Sequence, residues 1–438
     1  MNAKVLSEKL NSSALLSTLL IILSMFFTAC SSSSSGDSST TIPSTSITIS
    51  GYVTEVDTNA SIKDAQVTLV NMETQESEID YTNTSGYYSF VVSHGTYEVR
   101  IATQGFLASP PSGIVGIPLA ETSSFDVSLY PINDGNDYGF LNISLLNYES
   151  DVGALVILTS TSTAQFYSAT TDINGNIIMY NLLEDDYNLT VKTVGHEIFT
   201  AENNVSITVD TQSISDDVEL TAIDGLNVSG SITYLAINND QVDISLSDPL
   251  TNKVIPGTHT NENVSTFSID AVAPGKYYIR ATYNIDGLVV DPDAIVKFGE
   301  PEVNPLADNI TDAHIDVTGA VVLLSPIVGI DGSPVEITTT EPTFTWEAYP
   351  STSDYVVEVL DINGKVVWGG FDAALNKNVT TLDTSITYSN DGNGQVLETG
   401  KIYRWKVYAS KDDSRSPTGW NLISSSEEAQ GVFKIVLP

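Results

Sequence analysis

The chain has 438 residues with 55 acidic and 17 basic side chains, a formal net charge of -38, 41% hydrophobic residues and a single cysteine. That balance excludes nucleic acid and anionic lipid headgroups as partners, because the field of the protein repels both. The apolar content excludes wholesale disorder, and one cysteine excludes an intramolecular disulfide framework, so stability must come from buried cores in domains of about 90 residues or more.

The first segment carries Lys4 and Lys9, then the apolar stretch Leu15 to Leu23, then small residues ahead of the lone Cys30. A charged start, a short apolar run and a small-residue cut site are the marks of an export signal. Leu15 to Phe27 is too short and too interrupted by Ser17, Thr18 and Ser24 for a membrane span, which needs about 20 apolar residues. Thr28-Ala29-Cys30 resembles the lipobox of bacterial lipoproteins, with Phe27 where leucine is usual. The resemblance implies cleavage after residue 29 and acylation of Cys30, which would tether the protein to a membrane. Ser31, in place of an aspartate, implies the outer membrane. Residues 30–46 continue as a Ser/Thr linker, with a flexible span of roughly 20 Å.

An internal repeat follows. The first copy, residues 47–132, opens with Ile47-Thr-Ile-Ser-Gly51-Tyr-Val53 and continues through Ala65-Gln-Val67-Thr-Leu69. It then passes through Thr82-Asn-Thr84-Ser-Gly86-Tyr-Tyr88-Ser-Phe90 and Gly95-Thr-Tyr97-Glu-Val99 to Phe125-Asp-Val127-Ser-Leu129. Each run alternates with period two, as half-buried strands do, and turn residues separate them. The second copy, residues 137–222, places Ala154-Leu-Val156-Ile-Leu158 and Thr171-Asp-Ile-Asn-Gly175 both 89 positions after their counterparts. The third copy, residues 224–323, is looser and carries an insertion near Asp286 to Asp308. Gly86 and Gly175 suit turn positions of positive φ, and Tyr88, Phe90, Tyr97 and Val99 share the core face.

The expected fold class is all-β, a tandem of antiparallel sandwiches. The repeated unit resembles the carboxypeptidase regulatory-like domain, a transthyretin-like sandwich close to starch-binding-type modules. The last stretch, residues 324–438, holds all four tryptophans, Trp346, Trp368, Trp405 and Trp420. Its Phe344-Thr-Trp346 and Tyr403-Arg-Trp405-Lys-Val407 runs resemble a fibronectin type III-like sandwich, which implies that Trp346 and Trp405 are core.

No catalytic residue, metal site or cofactor is nominated. His259-Thr-Asn-Glu262 has a zinc-ligand spacing, but it falls in a loop-like stretch of a small β-module rather than on the scaffold such chemistry uses. His196-Glu197 does not extend to a metal-binding motif, and no Gly-x-Ser-x-Gly elbow is present. Asp172-Ile-Asn-Gly-Asn176, Asn133-Asp-Gly-Asn-Asp137 and Asn390-Asp-Gly-Asn-Gly394 offer hard oxygen ligands, yet the same residues are ordinary turn formers. Glycan stacking needs exposed aromatics. Alternation turns Tyr87 and Tyr278 away from the core, and Trp368 and Trp420 sit near turns. The sequence therefore predicts a non-enzymatic, lipid-anchored envelope protein whose modules, strung end to end, form a spacer and adhesion scaffold. Its partners are the membrane through Cys30 and other envelope proteins or glycans, and glycan capture is the alternative function.

Overall fold

The computed structural model describes residues 46–437 apart from short interruptions, the longest being 110–118, 236–241, 282–286, 293–301 and 329–333. The signal segment, Cys30 and the Ser/Thr linker lie outside the described residues. Residues 45–438 form one compact unit, and every named element among the described residues is a β-strand.

The first sandwich is organised around strand Ile47–Glu55, which pairs antiparallel with Tyr87–Val92 and parallel with Ser123–Ser124 and Val127–Leu129. Its second sheet places Gln66–Asn71 between Ser77–Tyr81 and Tyr97–Ala102. Alternation sends Ile49, Val53, Val67, Leu69, Tyr88, Phe90, Tyr97, Val99 and Ile101 into one core. Gly51 is required by close approach, since a Cβ there would overlap the Phe125 carbonyl, which also accepts the Tyr88 hydroxyl at 2.7 Å. Gly86 turns with φ of 76°, a conformation that costs glycine little.

The same wiring recurs twice. Tyr138–Leu146 lies between antiparallel Asn176–Leu183 and parallel Gln212–Glu219. Leu226–Tyr234 lies between antiparallel Thr266–Val272 and parallel Ile310–Gly319. Each copy has its own core and repeats two side-chain locks. Thr82 and Thr171 accept the backbone N–H of Ala65 and Ala154 at 2.9 Å each, and Thr258 gives a shifted form of this lock, accepting the N–H of Leu246 within its strand at 3.1 Å. Tyr97, Tyr187 and Tyr277 donate to the carbonyl four residues earlier, Ser93, Leu183 and Ala273, at 2.9, 2.8 and 2.8 Å. The repeated Gly-x-Tyr and Asp-Tyr signals thus mark a tyrosine that ties its strand to the preceding turn.

The last sandwich packs Leu323–Ser325, Thr343–Trp346 and Ser385–Thr387 against a seven-stranded sheet whose centre is Ile402–Asp412 beside Asp354–Asp361. Trp346 and Trp405 are 1% and 0% exposed with ring centroids 6.3 Å apart, and Trp405 Nε1 donates to the Pro326 carbonyl at 2.7 Å.

The sandwiches are not strung end to end as the sequence suggested. Strand Gln66–Asn71 is covered on both faces. Gln66 exchanges two hydrogen bonds with the backbone of Ile178 in the second sandwich, accepting at 3.1 Å and donating at 3.3 Å. Asn181 reaches back to the carbonyls of Thr103 and Phe106 at 3.0 and 2.9 Å. Leu155 and Ile157 of the second copy join the third core, and Lys192 pairs with Asp248 at 2.6 Å. Glu427 of the last sandwich accepts the Gly287 N–H of the third at 2.9 Å. The first sandwich also meets the last: Tyr130 packs on Ile402 and Val432, and the Lys434 ammonium lies 4.1 Å over its ring. A spacer of separate beads would leave these outer faces polar and wet. Here Gln66, Thr68, Ser245 and Ser247 are buried instead.

Candidate functional surface

The outer face of the first sandwich stays open. Register opposes Thr48 to Val91, Ser50 to Ser89 and Tyr52 to Tyr87 on the two strands. The two tyrosine rings lie 5.3 Å apart at 56°, Tyr52 is 46% exposed and Val91 is 69% exposed. Thr54 and Ser128 share a hydroxyl hydrogen bond of 3.1 Å at one end, and Asp126 accepts the Tyr52 N–H at 2.9 Å. An aromatic pair in a field of hydroxyls offers a stacking surface together with donors and acceptors, which suits a flat, hydroxyl-rich neutral ligand. Tyr87 was singled out by alternation. Tyr52 was not, because its place opposite Tyr87 depends on strand register; the signal available was its outward parity between Gly51 and Val53.

The other three sequence candidates fare differently. Trp368 is 3% exposed, tilted 5.1 Å from Tyr388, and donates from Nε1 to Asp391 Oδ1 at 2.8 Å. It is a core residue of the last sandwich and not a platform. Burial pushes the Asp391 carboxyl up, but hydrogen bonds from Trp368 and Asn393 outweigh this and hold it below the usual carboxylate range. Tyr278 is 7% exposed, with Ser245 and Ser247 on its face fully buried. Alternation identified its face correctly, but that face is covered. Trp420 is half-buried. It stacks on Phe371 at 5.7 Å and 24°, and the Lys377 ammonium sits 4.7 Å from the ring centroid. Lys377 is clamped by Asp354 at 2.7 and 3.0 Å and by Ser410 at 2.6 Å.

The Asp/Asn/Gly clusters act as turns. Asp172 Oδ1 accepts the N–H groups of Asn174 and Asn176 at 3.0 and 2.8 Å, and Asp391 Oδ1 accepts that of Asn393 at 3.1 Å. Residues 133–135 of the third cluster lie outside the described residues. Among the described residues no group of three or more His, Cys, Asp or Glu side chains could hold a metal.

One constellation escaped the sequence reading. Ser231 Oγ lies 2.7 Å from His314 Nδ1, and His314 Nε2 lies 2.9 Å from Asp316 Oδ1. All three residues project from adjacent parallel strands whose register opposes Ser231 to His314. A Ser-His-Asp contact acts on an acyl group only with donors aimed at the developing oxyanion. Ser231 sits on a central strand between two ladder partners, so the N–H groups around it are committed to the sheet.

Residues 48–130 match the family profile of the carboxypeptidase regulatory-like domain, in agreement with the resemblance carried by the first repeat. No curated protein matches the chain. Among solved structures, the Bacillus anthracis TIE protein aligns at 13% identity over 63% of this chain and 51% of its own, with a TM-score of 0.17; the chain thus spans about half of that one. The major pilin subunit BcpA of Bacillus cereus aligns at 12% identity over 63% of this chain and all (100%) of its own, with a TM-score of 0.16. A leucine-rich repeat protein from Bacteroides thetaiotaomicron VPI-5482 aligns at 11% identity over 40% of this chain and 26% of its own, with a TM-score of 0.22.

Proposed function

We propose that this chain is a non-enzymatic binding and adhesion scaffold of the cell envelope, tethered to the outer membrane by a lipid on Cys30. In this reading residues 1–29 are a removed signal, residues 30–46 are the leash, and the sandwiches at 47–132, 137–222, 224–323 and 324–438 are one braced body. The observation that carries the binding role is the Tyr52–Tyr87 pair, exposed Tyr52 beside half-buried Tyr87, on the open face of the first sandwich, the sandwich nearest the tether in sequence. Stacking on such a pair contributes through apolar area and ring geometry rather than charge, so it tolerates an acidic protein.

The same pair favours a neutral glycan as the ligand. Retention of the protein on immobilised neutral polysaccharides, compared with Tyr52→Ala and Tyr87→Ala, tests this. Equal retention of the wild type and both variants would remove the platform from the function. Cys30→Ser should move the protein from the membrane fraction to the soluble one, and a variant that stays with membranes would refute the tether.

A further inference from the structure

The open face of the first sandwich is a grid three strands wide. Strand Ile47–Glu55 is its middle, with Tyr87–Val92 on one side and residues 122–128 on the other. The parallel register opposes Ser50 to Ser124 and Val53 to Val127, so Asp126, where the ladder lapses between them, stands opposite Tyr52. One row across the face is therefore Tyr87, Tyr52, Asp126, and the next is Ser89, Ser50, Ser124. Neighbouring strands lie about 4.8 Å apart, so a row is about 10 Å wide. Asp126 is exposed. Its Oδ1 accepts the Tyr52 N–H at 2.9 Å and the Ser124 hydroxyl at 3.5 Å, which ties the carboxylate to the residue that carries the ring. On the far edge both oxygens of Asp80 are engaged, Oδ1 by the Tyr81 N–H at 2.8 Å and Oδ2 by the Ser89 N–H at 3.4 Å. Among the described residues nothing bonds Asp126 Oδ2.

A carboxylate has about four lone-pair sites. Tyr52 and Ser124 take two of them on Oδ1, and Oδ2 keeps two. A ligand stacked on the tyrosines covers this charge, and covering a charge costs binding unless donors replace the water it loses. A neutral sugar supplies those donors as hydroxyls. One hydroxyl leaves a lone pair of Oδ2 dry, whereas two on adjacent ring carbons lie close enough together to reach one carboxylate. Hydrogen bonds to an ionised acceptor are about twice as strong as neutral ones, so the diol sets which sugars stay. Sugars bearing carboxylate or sulfate groups are turned away by Asp126 and by the field of a chain of net charge -38.

We propose that Asp126 is the specificity-determining residue of the tyrosine platform and selects neutral polysaccharides that carry a vicinal diol. The proposal rests on the platform reading, and its test separates the two. A 1,4-linked glucan or mannan keeps free hydroxyls on adjacent carbons 2 and 3 of every ring, whereas the 1,3-linked counterparts have no adjacent free pair within the chain. Retention of the full chain on immobilised long-chain 1,4-linked glucan or mannan should exceed that on the matching 1,3-linked polymer about tenfold. Asp126→Asn keeps an oxygen for the Tyr52 N–H and removes the charge. It should melt with the wild type, lose about tenfold in retention on the 1,4-linked polymer, and no longer separate the two linkages. The comparison of linkages uses the wild type alone, so a folding defect in the variant leaves it decisive. Full retention of Asp126→Asn, with Tyr52→Ala and Tyr87→Ala released, would overturn the role of Asp126 and leave the platform standing. Equal retention of the wild type on both linkages, or retention on none of the four polymers, would overturn selection of the diol.

Discussion

Replacing Tyr277 with phenylalanine removes one oxygen and tests how the sandwiches are held together. Tyr277 is 2% exposed, and its hydroxyl donates to the Ala273 carbonyl at 2.8 Å in a buried setting. Losing the bond costs about 1 kcal/mol, and leaving a buried carbonyl unpartnered adds about 1–2 kcal/mol, so Tyr277→Phe should destabilise by about 2–3 kcal/mol. The equivalent Tyr97→Phe and Tyr187→Phe should cost about 1 kcal/mol each, because their hydrogen bonds are only part-buried and water can take over the carbonyl. If the sandwiches unfold as one braced body, calorimetry should show a single transition lowered by only about 1 °C per kcal/mol, given the size of the unit. A lone sandwich of about 90 residues would fall by about 4–8 °C per kcal/mol and melt separately. Urea unfolding of the three variants gives the free energies directly. A loss below about 0.5 kcal/mol for Tyr277→Phe would refute the buried bond, and a separate low-temperature transition confined to that variant would refute the bracing.

Further outcomes follow from the same geometry. Gly51→Ala should destabilise the first sandwich by about 2–4 kcal/mol, since the new methyl meets backbone rather than a movable side chain; hydrogen exchange would locate the loss on strand 47–55. Lys377→Met strands the Asp354 carboxylate beside Ser410 and should cost about 2–4 kcal/mol at pH 7, with part of the loss recovered by adding Asp354→Leu. Burial raises the hydroxyls of Tyr88, Tyr187 and Tyr277 above the ordinary tyrosine value. The folded state therefore holds these protons more tightly than the unfolded chain does. The stability this gives is full below about pH 10 and is lost as pH rises towards the folded values. Absorbance titration at 295 nm should show these tyrosines ionising only together with alkaline unfolding; ionisation in the native state near pH 10 would contradict their burial.

Much of each sandwich is legible in its residues. Ile49, Val53, Tyr88 and Phe90 alternate with Ser50, Tyr52 and Ser89, and period two is enough to assign faces. The 89-residue offset between Ala65 and Ala154 and between Gly86 and Gly175 identifies equivalent strands and turns. The same rule failed for Tyr278 for a physical reason. Alternation reports which side of a sheet a residue occupies, and only the neighbouring element decides whether that side is wet. Trp368 sits near a turn in the sequence, yet its indole turns inward, tilted against Tyr388, and bonds Asp391. Trp420 is only half-buried and shares its ring with Phe371 and Lys377. Tyr52 became a platform residue only when register set it opposite Tyr87.

What the amino-acid sequence determined by itself is local: strand periodicity, turn glycines, the tying tyrosines, the repeat and the negative charge. These depend on neighbours a few positions apart or on simple composition. Only the tertiary structure decided that Gln66 bonds Ile178 and that Tyr130 lies under Lys434. Those meetings join positions from about 110 to over 300 residues apart, and no periodic pattern encodes them. They arise because sandwich faces with matching shapes and polar groups exclude water from one another once each core has formed.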